Sequence, residues 1–289
     1  MWCVHTHPGS ACREIPRHRV AKSIAKIRTF HSFVIRPFPM SNAIVIIPTY
    51  NERDNIVAIV DAVFSQPKDF DILVIDDGSP DGTGELVKKM QSDYNTPAHT
   101  RLHLIERKGK MGLGTAYLTG FQYAIDRGYD YILEMDADFS HDPKDLSALY
   151  LQCAEFGYDV AIGSRYATGV NVVNWPIGRV LLSYFASTYV RLITGMPIRD
   201  TTAGFVCYRR EVLQTIPLDR VRFVGYAFQI EMKFLAWKYG FRLCEVPIIF
   251  TERVRGVSKM SPGIFKEAFF GVLQMTIKSW FKKYIPAVE

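Results

Sequence analysis

The sequence of 289 residues lacks any run of about 18 or more uncharged apolar residues, so we predict no transmembrane helix. It also has few cysteines, and no two of them form a C-x-x-C pair. The five are Cys3, Cys12, Cys153, Cys207 and Cys244. An odd number at wide spacing predicts neither a disulfide framework nor a structural zinc site. We therefore expect reduced thiols, as in a protein of the cytosol.

Acidic residues are almost absent from the first 40 positions. That segment holds seven lysines and arginines against Glu14 alone, whereas the remaining residues hold 28 basic and 28 acidic side chains. The net charge of +6 therefore belongs to the N-terminal segment, and the neutral remainder predicts no nucleic-acid binding. Because Met40 stands directly before the first strand pattern, we expect residues 1–39 to be a disordered extension and residues 40–260 to form one domain.

From residue 43 onward, short β-rich runs alternate with helical patterns, which predicts an α/β fold with a mostly parallel sheet flanked by helices. The predicted strands are Ala43–Ile47, Asp71–Ile75, Arg101–Glu106 and Tyr131–Met135, and the helices between them are Asn51–Phe64, Thr83–Met90 and Gly114–Gly128. Polar clusters follow these strands, at residues 48–52, 76–82, 106–112 and 136–142. Because ligands of such sheets bind beyond the carboxyl ends of the strands, we predict a site at this edge.

Beyond residue 160 the pattern mixes strands and helices. The predicted strands are Val160–Ile162, Val206–Tyr208 and Leu243–Phe250, and the helices are Trp175–Gly195, 226–239 and Ser261–Tyr284. The last helix is apolar over a wide face and ends in aromatic residues beside lysines, which is typical of a membrane interface. We expect residues 261–289 to form this amphipathic helix; packing on the sheet or on a partner subunit is the alternative.

Two carboxylates one residue apart, Asp136 and Asp138, follow the fourth predicted strand. Such a pair suits a hard divalent cation, since Mg²⁺ takes a few carboxylates and leaves positions for water and substrate phosphate. An ion there would neutralise charge on a departing diphosphate. Strand-ending aspartates often cap the next helix instead, but Asp142 and Pro143 already offer that cap.

The clusters after the first two strands are typical of a nucleoside site. Pro48 to Glu52 supply an aromatic face and a carboxylate, and Asp76 to Ser79 supply further acceptors. A capped helix and a tight turn are the structural alternative. The glycines from Gly109 to Gly114 follow the third strand and lack the third glycine of the dinucleotide fingerprint, so we do not expect NAD binding.

Two further segments carry cations that suit phosphate. The segment from Thr251 to Lys259 places Arg253, Arg255 and Lys259 around Gly256 after a predicted strand. Arginine donates two parallel hydrogen bonds to phosphate and lysine adds a compact charge. In the helix Trp175–Gly195, polar side chains recur every four residues on an otherwise apolar surface: Arg179, Ser183, Ser187 and Arg191. A lipid phosphate can lie against the arginine end while its chain meets the apolar side chains; a surface helix is the alternative.

Taken together, these motifs resemble those of the dolichyl-phosphate mannosyltransferases, also called polyprenol monophosphomannose synthases, in glycosyltransferase family 2. The matching strings run in family order from about residue 43 to 260: IPTYNE, VIDDGSPDGT, GLGTAY, MDADFSHDP, GSRY, DTTAGF, GYAFQIEM and TERVRGVSK. The resemblance implies the GT-A fold of nucleotide-diphospho-sugar transferases. It also implies transfer of mannose from GDP-mannose to a polyprenyl phosphate, at the cytoplasmic face of a membrane and by a peripheral enzyme.

The resemblance assigns roles position by position. Guanosine is held by Pro48, Tyr50, Glu52, Ile75 and Asp77. Asp136, Ala137 and Asp138 hold Mg²⁺ or Mn²⁺ with the donor diphosphate, and Ser140 is a further metal contact. Arg253 and Lys259 bind donor phosphates, and Arg165, Arg179 and Ser183 meet the acceptor phosphate. The implied partners are GDP-mannose, the polyprenyl phosphate, the membrane surface and, in some relatives, a small membrane subunit.

The acceptor is a phosphate that is already ionised, so the implied reaction needs no strong general base. In-line attack on C1 of the sugar displaces GDP with inversion, and catalysis depends on orientation and on stabilising the leaving diphosphate. We expect Asp136, Asp138, Arg253 and Lys259 to supply that stabilisation, and Asp200 to orient a cation or a sugar hydroxyl. Two alternatives stay open: a polyprenyl-phosphate glucosyltransferase that uses UDP-glucose, and a non-catalytic regulatory subunit.

Overall fold

A computed structural model describes residues 41–225, 227–252 and 262–285, of which residues 262–268 are described by their backbone alone. The strands are β1 Ala43–Thr49, β2 Asp71–Asp76, β3 Leu102–Glu106, β4 Tyr131–Glu134, β5 Val160–Ser164, β6 Val172–Val173, β7 Val206–Arg209, β8 Leu243–Pro247 and β9 Phe250–Thr251. The helices are α1 Arg53–Phe64, α2 Thr83–Tyr94, α3 Leu113–Asp126, α4 Asp145–Ala154, α5 Ile177–Thr194, α6 Arg210–Thr215, α7 Ala227–Lys238 and α8 Pro262–Trp280. The predicted extension 1–39 and the predicted phosphate ligands Arg253 and Lys259 lie outside the described residues.

Seven strands form one sheet in the order β3-β2-β1-β4-β7-β5-β8. Within it only β7 runs against its neighbours, β4 and β5. β1 to β4 are parallel, so their carboxyl ends meet at one edge, as the alternation of strands and helices predicts. The predicted α/β fold, with a mostly parallel sheet flanked by helices, is confirmed.

Helices cover both faces of the sheet, and β1 shows why its sequence is apolar at every position. Ile44 and Ile46 point to the layer that contains α3 and α7, whereas Val45 and Ile47 point to the layer of α1 and α4. All four side chains are fully buried. A strand buried on both faces reads as a continuous apolar run instead of an alternating one.

The predicted strand Leu243–Phe250 is wrong as a single element. It divides into β8, which pairs with β5, and β9, which leaves the sheet and pairs with β6. β8 ends at Pro247, which cannot donate a backbone hydrogen bond to a further neighbour. The division carries β9 to the site, where the N–H of Thr251 donates to the carbonyl of Ser140 at 3.2 Å.

The two longest helices, α5 and α8, pack against each other on one side of the sheet. Tyr189 of α5 stacks on Phe269 of α8 with ring centroids 4.7 Å apart, and its hydroxyl donates to the Phe269 carbonyl at 3.0 Å. Neither helix, nor any other in the described part of the chain, is long and apolar enough to cross a membrane.

Candidate active site

Asp76 ties the ends of β1 and β2 together. Its carboxylate accepts hydrogen bonds from Thr49 Oγ1 at 2.9 Å and from the backbone N–H and hydroxyl of Ser79 at 2.9 and 2.5 Å. The Ser79 hydroxyl in turn accepts a hydrogen bond from the N–H of Asn51. The two polar loops are therefore fixed to one another before any ligand binds.

Its neighbour Asp77 has a different partner. Arg107 Nε lies 2.5 Å from Asp77 Oδ1, and Arg107 Nη1 donates to Thr115 Oγ1 at 2.8 Å. Both members of the ion pair are nearly buried, at 8% and 10% exposure. Sequence reasoning named the polar cluster 106–112 but missed Arg107; its position directly after β3 was the available signal.

The other residues predicted to hold a nucleoside lie at the same strand ends. Lys110 Nζ is 5.3 Å from the centroid of the Tyr50 ring, within range of a cation–π contact. Glu52 is nearly buried and accepts a hydrogen bond from Asn55 Nδ2 at 3.0 Å. Pro48 is half-buried, whereas the side chain of Ile75 is wholly buried in the core, so only its backbone can meet a ligand.

The Asp136-Ala137-Asp138 segment follows β4 at the same edge. Asp138 Oδ1 accepts hydrogen bonds from the N–H and hydroxyl of Ser140 at 3.0 and 2.6 Å, and Tyr117 donates to Asp136 Oδ1 at 3.5 Å. Phe139, which lies between Asp138 and Ser140, has a φ of +59°, and a positive φ is uncommon for a residue other than glycine. The turn at Phe139 brings Ser140 back against Asp138.

This oxygen set fits a hard divalent cation. Within 41–225, 227–252 and 262–285, no group of three or more His, Cys, Asp or Glu side chains is arranged to hold a metal. Mg²⁺ and Mn²⁺ do not need one, because they take oxygen ligands and keep positions for water and substrate phosphate. Asp136 and Asp138, with the Ser140 hydroxyl, suit an ion whose coordination a diphosphate completes.

Arg165 is held rigidly by Asp200. Its Nε and Nη2 donate to the two carboxylate oxygens, each at 2.7 Å, and its backbone N–H donates to Asp200 Oδ2 at 3.0 Å. Burial alone would raise the pKa of Asp200, but the charge and hydrogen bonds of Arg165 outweigh it and lower the pKa. The sequence-based expectation that Asp200 orients a cation agrees with this geometry.

Arg179, in the first turn of α5, pairs with Glu252. Its Nη1 lies 2.7 Å from Oε1 and 2.5 Å from Oε2, and the guanidinium lies 4.3 Å from the centroid of the Trp175 ring. Ser187, predicted on the same polar stripe as Arg179, is buried next to the Thr202 hydroxyl, whereas Arg191 is exposed. The predicted stripe therefore does not face one ligand.

A buried polar chain lies behind these residues. Gln229 Nε2 donates to Glu134 Oε2 at 2.8 Å, and the wholly buried Lys233 donates to the carbonyl of Ala203 at 2.6 Å. Burial raises the pKa of Glu134 and lowers that of Lys233, so it favours the neutral form of each. These buried hydrogen bonds support the loop that carries Asp200. The sequence analysis did not predict them.

A cavity of about 460 Å³ joins the predicted metal and phosphate ligands. Its polar lining includes Asp136, Ser140, Arg165, Arg179 and Ser183, together with Gln229. Much of its apolar lining comes from α5, with Phe269 from α8: Leu182, Phe185, Ala186, Tyr189, Val190 and Phe269. The other predicted residues within the described ranges do not line it and lie at neighbouring strand ends: Pro48, Tyr50, Glu52, Ile75, Asp77, Ala137 and Asp138.

A parallel sheet whose carboxyl edge carries a D-x-D pair, beside a large cavity with cations, is the arrangement of a GT-A glycosyltransferase. The chain belongs to glycosyl transferase family 2, whose sequence profile matches residues 44–216. The predicted enzyme class, a glycosyltransferase, is thereby confirmed.

Two curated relatives carry specific names. The polyprenol monophosphomannose synthase of Mycolicibacterium smegmatis is 48% identical over 241 residues, which cover 83% of this chain and 89% of the relative. The undecaprenyl-phosphate mannosyltransferase of Micrococcus luteus is 42% identical over 227 residues, covering 78% of this chain and 90% of the relative. The predicted resemblance to polyprenyl-phosphate mannosyltransferases is confirmed by both.

Solved structures share the fold at much lower identity. Glucosyl-3-phosphoglycerate synthase from Mycobacterium tuberculosis, in complex with Mn²⁺, UDP-glucose and phosphoglyceric acid, superimposes with a TM-score of 0.58 and 16% identity. The match covers 85% of this chain and 80% of that one. At this identity the likeness shows the GT-A fold and nothing about the substrate.

Proposed function

We propose that this protein transfers mannose from GDP-mannose to a polyprenyl phosphate, with inversion at the anomeric carbon, at the cytoplasmic face of a membrane. The observation that carries the proposal is the cavity that Asp136 and Arg179 line together with apolar side chains of α5 and Phe269 of α8. The same cavity contains a carboxylate that suits a metal ion, arginines that suit a phosphate, and apolar walls that suit a lipid chain. The names of the two relatives support the same acceptor class and the same sugar.

The donor nucleotide is proposed to bind at the ends of β1 and β2. Tyr50 offers an aromatic face to the guanine, and Glu52, Asp77 and the backbone of Pro48 and Ile75 offer acceptors. The Arg107 pair fixes the orientation of Asp77, so this acceptor needs little reorganisation when the nucleotide binds.

Asp136, Asp138 and Ser140 are proposed to hold Mg²⁺ or Mn²⁺, with Ala137 beside the donor diphosphate. When bound, the ion supplies positive charge against the diphosphate that leaves. Arg253 and Lys259, which lie outside the described residues, are proposed to add charge-assisted hydrogen bonds to the same phosphates.

The acceptor phosphate is proposed to meet Arg165, Arg179 and Ser183 on the cavity wall. Asp200 fixes Arg165 in place, so the guanidinium is oriented before the acceptor arrives. A phosphate oxygen of the lipid forms a bond to C1 of mannose while the bond from C1 to the β-phosphate oxygen of GDP breaks. The two products are the lipid-linked phosphodiester of mannose and GDP. Both carry ionised phosphate groups, and no proton has to be removed from the acceptor.

Peripheral membrane binding is proposed to occur through the apolar side chains that α5 and α8 leave in solvent. Ile177, Phe185 and Leu192 of α5 are 62–76% exposed, and Phe270 and Phe281 at α8 are 59% and 86% exposed. Exposed patches of this kind mark membrane or protein contacts, and Lys278, Lys282 and Lys283 add positive charge for anionic lipids. Neither relative's name mentions the small membrane subunit that the resemblance allows, and the proposal does not include one.

The decisive experiment is transfer of radiolabelled mannose from GDP-mannose to polyprenyl phosphate in detergent, with Mg²⁺, with Mn²⁺ and with EDTA. We expect metal-dependent label in the lipid extract and no label from UDP-glucose. The Asp138→Ala variant should lose at least about 100-fold in kcat, as expected for loss of a principal charge-stabilising group. The matched variant Asp126→Ala, at the far end of α3, should retain activity. Label from UDP-glucose alone would overturn the donor, and full activity of Asp138→Ala would overturn the metal role.

A further inference from the structure

Arg179, one of the two arginines that the proposed function gives to the acceptor phosphate, already binds a carboxylate of this chain at the cavity. Arg179 Nη1 lies between both oxygens of Glu252, at 2.7 and 2.5 Å, and both side chains are about a quarter exposed. Arg179 lines the cavity together with Trp175 and Phe250, and Glu252 reaches its guanidinium from the residue that follows β9. An anion site that faces a cavity is thus occupied by an internal anion.

A backbone hydrogen bond fixes Glu252, and an aromatic ring fixes the guanidinium of Arg179. The N–H of Glu252 donates to the carbonyl of Val173 at 3.1 Å, and the pairing of β6 with β9 continues up to Thr251. On the other side, Arg179 stacks on Trp175 in the first turn of α5. The ion pair is therefore built into the fold, unlike a surface pair between two long, mobile side chains.

We propose that Glu252 is a placeholder that the acceptor phosphate must displace from Arg179, and that this exchange makes the site selective for a phosphate headgroup. A phosphate monoester carries close to two negative charges at neutral pH and three strong acceptor oxygens, whereas a carboxylate carries one charge and two oxygens. Only the stronger anion displaces Glu252 from the guanidinium. The inference rests on the proposed function, because it takes Arg179 to be the acceptor ligand.

If Glu252 competes with the acceptor phosphate, removing its charge should lower the KM for the acceptor. If the ion pair only stabilises the fold, removing the charge should not lower that KM. In Glu252→Gln the competing charge is gone, so we expect the KM for polyprenyl phosphate to fall about fivefold or more, with the KM for GDP-mannose unchanged. Glu252→Asp retracts the carboxylate by one methylene and should change the acceptor KM in the same direction. The charge-matched control is Asp130→Asn, which removes the partner of Arg210 on the surface away from the cavity and should change neither KM.

A binding measurement separates this inference from the proposed function. Calorimetric titration with a short-chain prenyl phosphate should give tighter binding to Glu252→Gln than to the unmodified protein, without any donor present. A prenyl carboxylate of the same length should bind only the variant. Equal or weaker binding of the phosphate by Glu252→Gln, or no binding to either protein, would overturn the placeholder. Absence of mannose transfer by the unmodified protein, with the binding difference intact, would overturn the proposed reaction alone.

Discussion

Asp76 and Asp77, two neighbouring aspartates at the end of β2, have different roles. Asp76 is 2% exposed and its oxygens accept from Thr49 and Ser79, so it stabilises the two loops. Asp77 lies at the edge and is balanced by Arg107. A carboxylate whose acceptor sites serve the fold is a poor candidate for ligand binding, whereas a carboxylate oriented by a cation is well prepared for it.

Replacing Arg107 tests whether Asp77 belongs to the donor site. In Arg107→Met the nearly buried Asp77 carboxylate loses its partner and its fixed orientation. We expect the KM for GDP-mannose to rise about tenfold, equivalent to about 1.4 kcal/mol, with the acceptor KM unchanged. The control is Arg127→Met, whose guanidinium stacks on Tyr123 at the other end of α3. A rise in the acceptor KM alone would show that Asp77 belongs to the acceptor site and not to the donor site.

The Arg165–Asp200 pair should contribute strongly to stability as well as to activity. Asp200 is wholly buried and Arg165 is 8% exposed, so Asp200→Asn leaves a guanidinium charge without its counter-charge. Removing one partner of such a pair costs about 3–5 kcal/mol, whereas removing a surface partner costs about 0–1 kcal/mol. Urea unfolding of Asp200→Asn against Asp130→Asn measures the difference. Equal midpoints would show that Arg165 finds another partner.

The strand-end clusters could be predicted because each is contiguous in the chain and the alternating pattern places all of them on one edge. The ion pairs that orient them could not. Arg107 and Asp77 are 30 positions apart, Arg165 and Asp200 are 35, and Arg179 and Glu252 are 73. Such pairings depend on strand order and on the path of β9, neither of which has a local signal.

At the scale of elements, Gly120 lets α3 pack directly on the side chains of the sheet. A Cβ at Gly120 would lie 2.7 Å from Ile46 Cγ2 and 3.1 Å from Ile75 Cδ1, closer than van der Waals contact permits. Glycine in a helix interior costs up to about 1 kcal/mol in propensity, so its presence here reflects packing. The close contact sets the distance of α3 from the strands that carry the predicted nucleoside ligands.

The Gly120→Ala variant should be less stable in spite of its better helix propensity. Overpacking of a close-packed core costs about 1–3 kcal/mol, which exceeds the gain in propensity. Gly178→Ala in α5 is the matched control, because a Cβ there meets nothing within 4 Å. Thermal unfolding should give a lower Tm for Gly120→Ala and an unchanged or higher Tm for Gly178→Ala. An unchanged Tm for Gly120→Ala would mean that Ile46 repacks freely.

Elements with a strong period were predicted well, and short ones were not. The buried runs of β1 and β2 and the long patterns of α3 and α5 agree with the structure to within two or three residues. The two-residue strands β6 and β9 were missed, because two residues carry no period and Phe250 continues the apolar run of β8. β9 nevertheless carries Glu252 to Arg179, so a part of the site depends on an element without a sequence signature.

For the whole molecule, exposed apolar side chains occur on both sides of the sheet, and only one side is proposed to meet lipid. Phe270 on α8 is 59% exposed, and Phe156, which follows α4 on the opposite face, is 60% exposed. Phe270→Glu should weaken co-sedimentation with vesicles that contain anionic lipid by about tenfold, because it replaces an inserted aromatic ring with a charge. Phe156→Glu should leave it unchanged, and equal losses would indicate a general change in solubility.

Acid should weaken the molecule through two histidines, the half-buried His103 and the buried His141. Burial lowers the pKa of His103, near the start of β3, and of His141, after β4, from the ordinary 6.5 to about 4. Between those values the unfolded chain binds more protons than the folded one, so stability is fully present above about pH 6.5 and falls as the pH approaches 4.

His103→Gln should remove part of this acid sensitivity while keeping a side chain that can hydrogen-bond to Tyr129. A shift of this size corresponds to at most about 3 kcal/mol, and to less for His103, whose ring is partly exposed. Asp71, which accepts a hydrogen bond from the Tyr129 hydroxyl at 2.7 Å, and Glu134 act in the opposite direction. Burial raises the pKa of both carboxyls, and a carboxyl whose pKa is raised in the folded state favours folding at low pH. Urea unfolding at pH 7 and pH 5 should therefore show a smaller difference in free energy for His103→Gln than for the unmodified protein. An equal difference would show that His103 does not contribute to the acid sensitivity, and the smaller difference would then be expected for His141→Gln.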